Sequence, residues 1–464
     1  MNAIIITAIL GIVLMFSAVF VKSKTTPLYI AIVGIIVAII ANSLEMVNGM
    51  PFFEVDTKGM FDFNTFGLMF NNIAFICTLF FFLLNGKDIL AVGNNVGEYF
   101  ALLFFILCGV SIAATFNSLL MLFVGIEIIS IPLYILTGTD KRNLKSNEAS
   151  LKYFLMGAFS TGIMLMGIAF IYGGSPNGSF ILGTLNLGGG KMPALLAVGM
   201  VLLLIAMSFK VSAAPFHFWT PDVYDGAPTV FTSFMATVVK AAGFIAFIRL
   251  FENSFGTIQP QWQMLIAIVT AATLLIGNIT AVFQQSVKRM LAYSSIAQAG
   301  FMLFALFALN VKAKDGLLLY SAGYSLATIG IFAILIKMKD YTIEGFNGLA
   351  KTQPVLAITG LVFLLSLTGV PLTAGFISKF YMLMAAAENG QMVWLIILAV
   401  LCAAISAYYY FRVIQAMFFK EPAEGVQTEG AISPAFKALL VITAGFIIII
   451  GCYPEMILYW FHSY

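Results

Sequence analysis

Long apolar stretches recur from one end of this chain to the other, and no other feature restricts its possible folds as strongly. A helix needs about 20 mostly apolar residues to cross the hydrocarbon core of a membrane. Hydrophobic residues make up 61% of the 464 residues, and the mean hydropathy is +1.02. Charged residues make up only 9%, against about 25% in soluble domains. So few charges cannot form a water-facing surface, and the sequence therefore predicts an all-α polytopic membrane protein.

We predict about 14 transmembrane helices. They fall near residues 3–21, 27–45, 65–86, 97–116, 117–137, 149–173, 193–214, 227–251, 262–283, 290–310, 314–337, 355–386, 392–418 and 435–458. The polar connections between them are too short to form a soluble domain. The chain is therefore interpreted as a single integral membrane domain, 1–464.

Two of the predicted spans are interrupted by proline. Pro215 breaks span 7, and Pro371, followed by Gly375, breaks span 12. Proline removes a backbone hydrogen bond, which is tolerated at membrane depth only where protein or water replaces that bond. Two broken helices five spans apart predict two inverted five-helix repeats, spans 4–8 and 9–13. Two ordinary proline kinks are the alternative.

The repeat divides the predicted domain into four parts. These are three N-terminal helices (1–96), a first repeat (97–251), a second repeat (262–418) and a C-terminal helix (435–464). The connections after odd-numbered spans hold about 14 Lys and Arg residues, and those after even-numbered spans about five. By the positive-inside rule, the odd-numbered connections are cytoplasmic and both termini lie outside.

The residue types that hold most cofactors are scarce. The four cysteines lie in apolar stretches without ligand spacing, and there are only two histidines. We therefore expect no haem or zinc centre. The chain also has no Gly-rich dinucleotide motif. No metal and no cofactor is predicted in this chain.

Charged residues within the predicted spans are the strongest functional signal. Lys210, Lys240 and Lys379 lie deep in spans 7, 8 and 12, and Glu127 is the acid in the middle of a span. Each such charge costs about 2.5–3.5 kcal/mol on the insertion scale. Because burial disfavours the charged form of both residue types, both can exchange protons near neutral pH. We interpret the four residues as a proton relay in which Glu127 pairs with Lys210.

Three further residues are weaker candidates. Glu148 and Lys152 share a helix face at the start of span 6, either as part of the relay or as a pair at the membrane edge. His217 follows the break in span 7 and could relay protons or bind backbone carbonyls.

Polar residues in two other spans leave two interpretations open. Tyr293, Ser294, Ser295 and Gln298 in span 10 could hold water or make ordinary interhelix hydrogen bonds. The tyrosines at 408–410 favour packing or an interface anchor over a site.

Four segments resemble the antiporter-like subunits of respiratory complex I, and the resemblance covers nearly the whole chain. They read GIEIISIPLYIL at 125–136, KVSAAPFHFWTPDVYDGAP at 210–228, KRMLAYSSIAQAGF at 288–301 and SLTGVPLTAGFISKFY at 366–381. The resemblance implies a fold of 14 helices with inverted five-helix repeats, in a bacterial plasma membrane.

The resemblance also implies residue roles. Glu127 matches the ion-pair glutamate and Lys210 its partner lysine. Lys240 matches the central relay lysine, and Lys379 matches the lysine of the second broken helix. Glu148 and Lys152 match an acidic–basic pair. Gln298 stands where several relatives have histidine, so a relay at that point must run through water.

The function implied is proton translocation by a membrane subunit of NADH:quinone oxidoreductase. FMN, the iron–sulfur clusters and quinone would be bound by other subunits, and the neighbours would be M-like and K-like subunits of the membrane arm. A stand-alone cation/proton antiporter or membrane-hydrogenase subunit is one alternative. A scaffold that only holds an assembly together is the other.

Overall fold

The computed structural model is built from helices that follow the predicted spans closely. It describes residues 1–21, 23–49, 51–175, 178–184, 192–388, 390, 392–422, 428, 430 and 432–463. The first six helices are α1 (Asn2–Phe20), α2 (Thr26–Asn48), α3 (Thr65–Val92), α4 (Val96–Thr115), α5 (Leu119–Thr137) and α6 (Leu144–Gly174). Then follow α7 (Ala194–Lys210), α8 (Trp219–Gly226), α9 (Thr229–Phe234), α10 (Lys240–Phe255), α11 (Gln259–Val282), α12 (Val287–Ala308) and α13 (Val311–Ile336). The last six are α14 (Leu349–Thr352), α15 (Pro354–Thr368), α16 (Ala374–Glu388), α17 (Val393–Phe419), α18 (Pro434–Cys452) and α19 (Glu455–Ser463).

Within the described residues, 11 helical segments are long and apolar enough to cross a membrane. One of them, Thr229–Val282, runs through two predicted spans, and two shorter apolar helices, α7 and α15, belong to the predicted broken spans. Side chains cap several of these helices, as when Asn64 accepts a hydrogen bond from the Gly67 amide at the start of α3. The chain is thus a multi-pass membrane protein.

The two predicted breaks are present. In the first, α7 ends at Lys210 and α8 begins at Trp219, with the Ala213 amide bonded to the Ser208 carbonyl between them. In the second, α15 ends at Thr368 and α16 begins at Ala374. A π-helical turn, Met235–Val239, joins α9 to α10 directly before Lys240, and such turns are frequent at functional sites.

Corresponding helices of the two predicted repeats pack in the same way. Helix α4 packs against α5, as α11 does against α12. Helix α6 packs against both halves of its broken neighbour, α7 and α8, as α13 does against α15 and α16. The order of these contacts is the same in spans 4–7 and 9–12.

Both chain ends lie on the same side as the even-numbered connections. The N-terminal ammonium lies 2.5 Å from Glu45 Oε1 near the end of α2. At the other terminus, His462 Nε2 lies 3.1 Å from Asp315 Oδ1 at the start of α13. The loops richest in lysine and arginine lie at the opposite ends of these helices.

Candidate functional site

The three lysines predicted as relay residues are buried in the bundle, each beside oxygen atoms. Lys240, at the start of α10, is 2% exposed. Its Nζ donates hydrogen bonds to the Ser295 carbonyl at 2.9 Å and to Ser295 Oγ at 2.8 Å. The Tyr224 ring lies 5.8 Å from the same nitrogen. No carboxylate among the described residues lies within 4.0 Å of this ammonium.

Lys379 binds the end of the second broken helix. The last carbonyls of a helix have no partner within that helix. Lys379 Nζ donates to two of them, the carbonyls of Leu367 and Thr368, each at 2.9 Å. Gly369 has a φ of +90° directly after them, a conformation that glycine adopts without strain. The break in the helix therefore creates the binding site for this lysine.

Lys210 is the last residue of α7 and faces α5. Its Nζ donates to Ser130 Oγ at 3.0 Å and lies 3.8 Å from Glu127 Oε1. The same carboxylate oxygen accepts a hydrogen bond from Thr161 Oγ1 at 2.7 Å. Glu127 is therefore shared between Lys210 and the hydroxyl of α6, and its contact with the lysine is loose.

Gln298 connects α12 to the site of Lys379. Its Nε2 donates to the Leu367 carbonyl at 2.9 Å, the same oxygen that accepts from Lys379. Its Nε2 also lies 3.2 Å from the hydroxyl of Tyr410, and its Oε1 accepts from Tyr320. Ser294 Oγ lies within hydrogen-bond distance of the same Tyr410 hydroxyl, at 2.5 Å. Hydrogen-bonding groups therefore run along α12 from the neighbourhood of Lys240 to Lys379.

The tyrosines at 408–410 divide between the two predicted roles, packing and an interface anchor. Tyr410 is buried and fits packing, whereas Tyr408 is 59% exposed and fits an interface anchor. Tyr409, also buried, donates to Asn278 Oδ1 at 3.1 Å. The run of three tyrosines gave no signal of this difference. The helical spacing of about 100° per residue places neighbouring side chains on different faces.

Glu148 and Lys152 lie apart from the buried lysines. Lys152 Nζ lies 2.7 Å from Glu148 Oε1 and 2.9 Å from Asp222 Oδ2, and the side chains of the first pair are 41% and 65% exposed. Arg289 joins from α12, 3.1 Å from Asp222. This exposed cluster fits the membrane-edge alternative better than a position in the buried row.

His217 lies in the break between α7 and α8, buried and next to the Phe218 ring at 4.6 Å. Its Nδ1 has no hydrogen-bond partner among the described residues. The structure does not bring it into hydrogen-bond contact with any of the three buried lysines.

Two further buried cations lie within helices and are not among the residues predicted as the relay. Arg249 lies within α10, where its guanidinium donates to Asn64 Oδ1 at 3.0 Å and to the Phe116 carbonyl at 3.1 Å. Lys288 lies in the first turn of α12 and donates to the carbonyls of Asp225 and Ala227, at 2.8 and 2.7 Å. Carbonyl partners leave no signal in a sequence, because every residue carries one.

Lys288 borders a cavity of about 480 Å³ on the side of the lysine-rich connections. Asp140, Lys145 and Asp225 also line it. Nothing in the described part of the chain groups three or more His, Cys, Asp or Glu side chains in a way that could hold a metal ion.

Comparison with known proteins agrees with this architecture. Residues 116–406 match the family described as "NADH:quinone oxidoreductase/Mrp antiporter, TM". The chain therefore belongs to this family of membrane subunits.

The finer assignment follows from relatives that match over nearly their whole length. The chain is 39% identical to the NADH-quinone oxidoreductase subunit N of Cytophaga hutchinsonii, covering 99% of both chains. It is 38% identical to subunit N of Trichlorobacter lovleyi, covering 98% of this chain and 94% of that one. It thus belongs with the subunits N. The stretch WTPDVYDGAP at 219–228 predicts this subunit within the family, and the prediction is confirmed.

Solved structures share the fold. A chain of respiratory complex I from Thermus thermophilus with bound aureothin is 32% identical, with a TM-score of 0.82, covering 99% of this chain and 98% of that one. A chain of the Mrp complex from Dietzia has a TM-score of 0.84 at 18% identity, covering 99% and 96%. This second likeness concerns the fold alone.

Proposed function

We propose that this chain translocates protons within NADH:quinone oxidoreductase through the row Glu127, Lys210, Lys240 and Lys379. The observation that carries the proposal is the setting of Lys240, which is 2% exposed and bonded to the two oxygens of Ser295. A buried ammonium without a close counter-ion is kept charged by its hydrogen bonds alone. Its protonation therefore responds to any charge that moves nearby.

The Glu127–Lys210 pair is proposed as the switch. The separation of 3.8 Å, with Ser130 and Thr161 as competing partners, supports a pair that opens easily. The carbonyl of Lys210 lies 3.9 Å from where a β carbon on Gly243 would stand, so the end of α7 contacts α10 one turn from Lys240. A change at Lys210 therefore reaches Lys240 over a short distance.

Transfer from Lys240 towards Lys379 is proposed to follow α12. Ser294, Ser295 and Gln298 provide hydroxyl and amide groups on this path, and Tyr410 bridges two of them. Because the Gln298 amide does not titrate, the proton would pass it through water or the tyrosine hydroxyls. In this proposal Glu148, Lys152 and His217 have accessory roles.

The wider assembly is part of the same proposal. The chain would have 14 spans with inverted repeats, sit in a bacterial plasma membrane with both termini on the periplasmic side, and contact M-like and K-like subunits. FMN, iron–sulfur clusters and quinone would be held by other subunits, so that redox energy arrives here as charge movement along the membrane arm.

The test is to change Lys210 or Glu127 to Ala in the intact complex and to measure NADH-driven proton pumping in proteoliposomes. We expect both variants to assemble and to lose most of the pumping. Full pumping by both would refute the relay. A tagged preparation without NADH:quinone reductase activity, but with sodium-driven proton flux, would favour the stand-alone antiporter instead.

A further inference from the structure

A second cavity, which none of the four proposed relay residues lines, lies between the N-terminal helices and the second half of the chain. Its volume is about 400 Å³, within the range of about 300–1,000 Å³ of ligand pockets. Helices α2, α3, α13, α18 and α19 contribute its walls. Most of the lining side chains are apolar, among them Met69, Ile73, Phe80, Leu326 and Phe446.

The few polar groups in the wall are engaged with one another. Ser43 Oγ donates to Asn72 Oδ1 at 3.3 Å, and the same oxygen accepts from Asn42 Nδ2 at 2.8 Å. None of the described residues that line this cavity is charged. Such a cavity does not attract water, and apolar cavities bind apolar molecules instead. The lining therefore favours a hydrocarbon chain over a polar ligand.

The depth of the cavity matches one leaflet of a bilayer. Met69 and Phe80 line it at opposite ends along α3, and 11 residues at 1.5 Å per residue separate them by about 16 Å. Half of a hydrocarbon core of about 30 Å is about 15 Å. Phe80 and Phe446 meet edge to face, with centroids 5.6 Å apart, and close the deep end.

The mouth opens beside α19, on the side of the chain termini. Trp460 and Met456 of α19 line the cavity and are exposed, as is Ile76 of α3 at its side. Tryptophan at such a position is typical of the membrane–water interface. His462 follows two residues after Trp460, and Lys312 lies nearby in the first turn of α13, the helix that His462 contacts at Asp315. Both side chains are half-exposed, and each is paired with a carboxylate, Lys312 with Glu388 and His462 with Asp315.

From this geometry we propose that the cavity binds one acyl chain of a phospholipid from the leaflet on the side of the chain termini. The chain enters beside Trp460 and extends down to Phe80 and Leu326, while the headgroup stays near His462. The bound lipid thereby joins helices α2 and α3 to α13 and α18. This inference does not depend on the proton relay.

The first experiment fills the cavity with a side chain. The Leu326→Trp and Ala322→Phe variants, each in the intact purified complex, are compared with Ile36→Trp, which enlarges a lipid-facing residue of α2 outside the cavity. Phospholipid that survives extensive detergent washing is counted by mass spectrometry. We expect one lipid fewer per complex in both cavity variants and an unchanged number in Ile36→Trp. Equal numbers in all three would overturn the proposal, as would loss of a quinone rather than a phospholipid.

The second experiment leaves the chain unaltered, and so does not depend on the folding of a variant. The wild-type complex is reconstituted with phosphatidylglycerol that carries a photoreactive diazirine near the end of one acyl chain. Crosslinks on Ile73, Cys77 or Leu326 are expected after illumination. Crosslinks confined to exposed side chains such as Phe16 and Val33 would show that the acyl chain does not enter the cavity.

Discussion

Replacing Lys240 with Met distinguishes a role in proton transfer from a purely structural role. The substitution both removes and adds stability, and the two effects partly cancel. The substitution removes two hydrogen bonds to Ser295, each worth about 1.5–3 kcal/mol for a charged donor. It also removes the cost of about 2.5–3.5 kcal/mol of a charge within the membrane. The balance ranges from about zero to a loss of about 3.5 kcal/mol. Because Met is apolar and similar in length, it fills the same space.

We therefore expect Lys240→Met to assemble into the complex and to lose at least tenfold in pumping rate. Assembly would be measured by native gel and thermal unfolding, and pumping by the pH change inside proteoliposomes supplied with NADH and quinone.

A second buried cation of the same helix gives a matched comparison. Arg249→Met removes bonds to Asn64, Phe116 and Asp62 and leaves these oxygens without their donor. Asp62 is half-exposed, so its charge is solvated after the change, and the cost comes chiefly from the buried Phe116 carbonyl, at about 1–3 kcal/mol for an acceptor left unpaired. We expect this variant to assemble less well and to keep its pumping rate per assembled complex. Normal pumping by Lys240→Met would refute the reasoning. So would an equal loss of pumping per assembled complex in Arg249→Met.

Three further predictions concern the switch, the link along α12 and the second break. Glu127→Gln removes a charge 3.8 Å from Lys210. The lost interaction is worth about 4 kcal/mol at an effective dielectric constant of 20, so we expect at least a tenfold slower proton flux. The control Thr161→Val removes only a neutral hydrogen-bond donor and should keep most of the flux. Gln298→Leu removes the bonds to Tyr410 and the Leu367 carbonyl and should lower pumping severalfold, whereas Tyr408→Phe on the exposed face should not change it. Gly375→Ala would place a β carbon 1.7 Å from the Ser366 carbonyl oxygen, whereas the β carbon of Gly162→Ala meets nothing within 4 Å. Native gels should show loss of assembled complex for Gly375→Ala and no loss for Gly162→Ala.

The helices and their breaks could be predicted from the sequence because lipid leaves the backbone few choices. Every polar backbone group within the membrane must find a partner, so long apolar stretches become helices and prolines mark their interruptions. The predicted start of span 6 at 149 was five residues late, since α6 already begins at Leu144. The five additional residues include Lys145 and Glu148, and a criterion based on apolar length does not detect such a polar first turn.

The partners of the buried charges could be predicted only in part. Glu127 and Lys210 were paired as a hypothesis because they are opposite charges in apolar spans, and the structure places them 3.8 Å apart. The partners of Lys379, Lys288 and Lys240 include main-chain carbonyls. Which carbonyl accepts from such a lysine depends on where two elements meet in space, and no side-chain pattern encodes that. The π-helical turn before Lys240 also has no counterpart in the apolar pattern.

At the second break, the side chain of Lys379 binds the last carbonyls of α15. The protonation state of this lysine can therefore affect the position of the helix. The Leu367 carbonyl accepts from both Lys379 and Gln298, and the Thr368 carbonyl accepts from Lys379. Cations near a helix C-terminus stabilise it, because the unpaired carbonyls there carry partial negative charge. If Lys379 loses its proton, the end of α15 loses this stabilisation while Gln298 keeps its hold on Leu367. Protonation of Lys379 would therefore change the relative strength of the two hydrogen bonds that the Leu367 carbonyl accepts, from Lys379 and from Gln298. Because Gln298 also binds Tyr410, the change would reach α17.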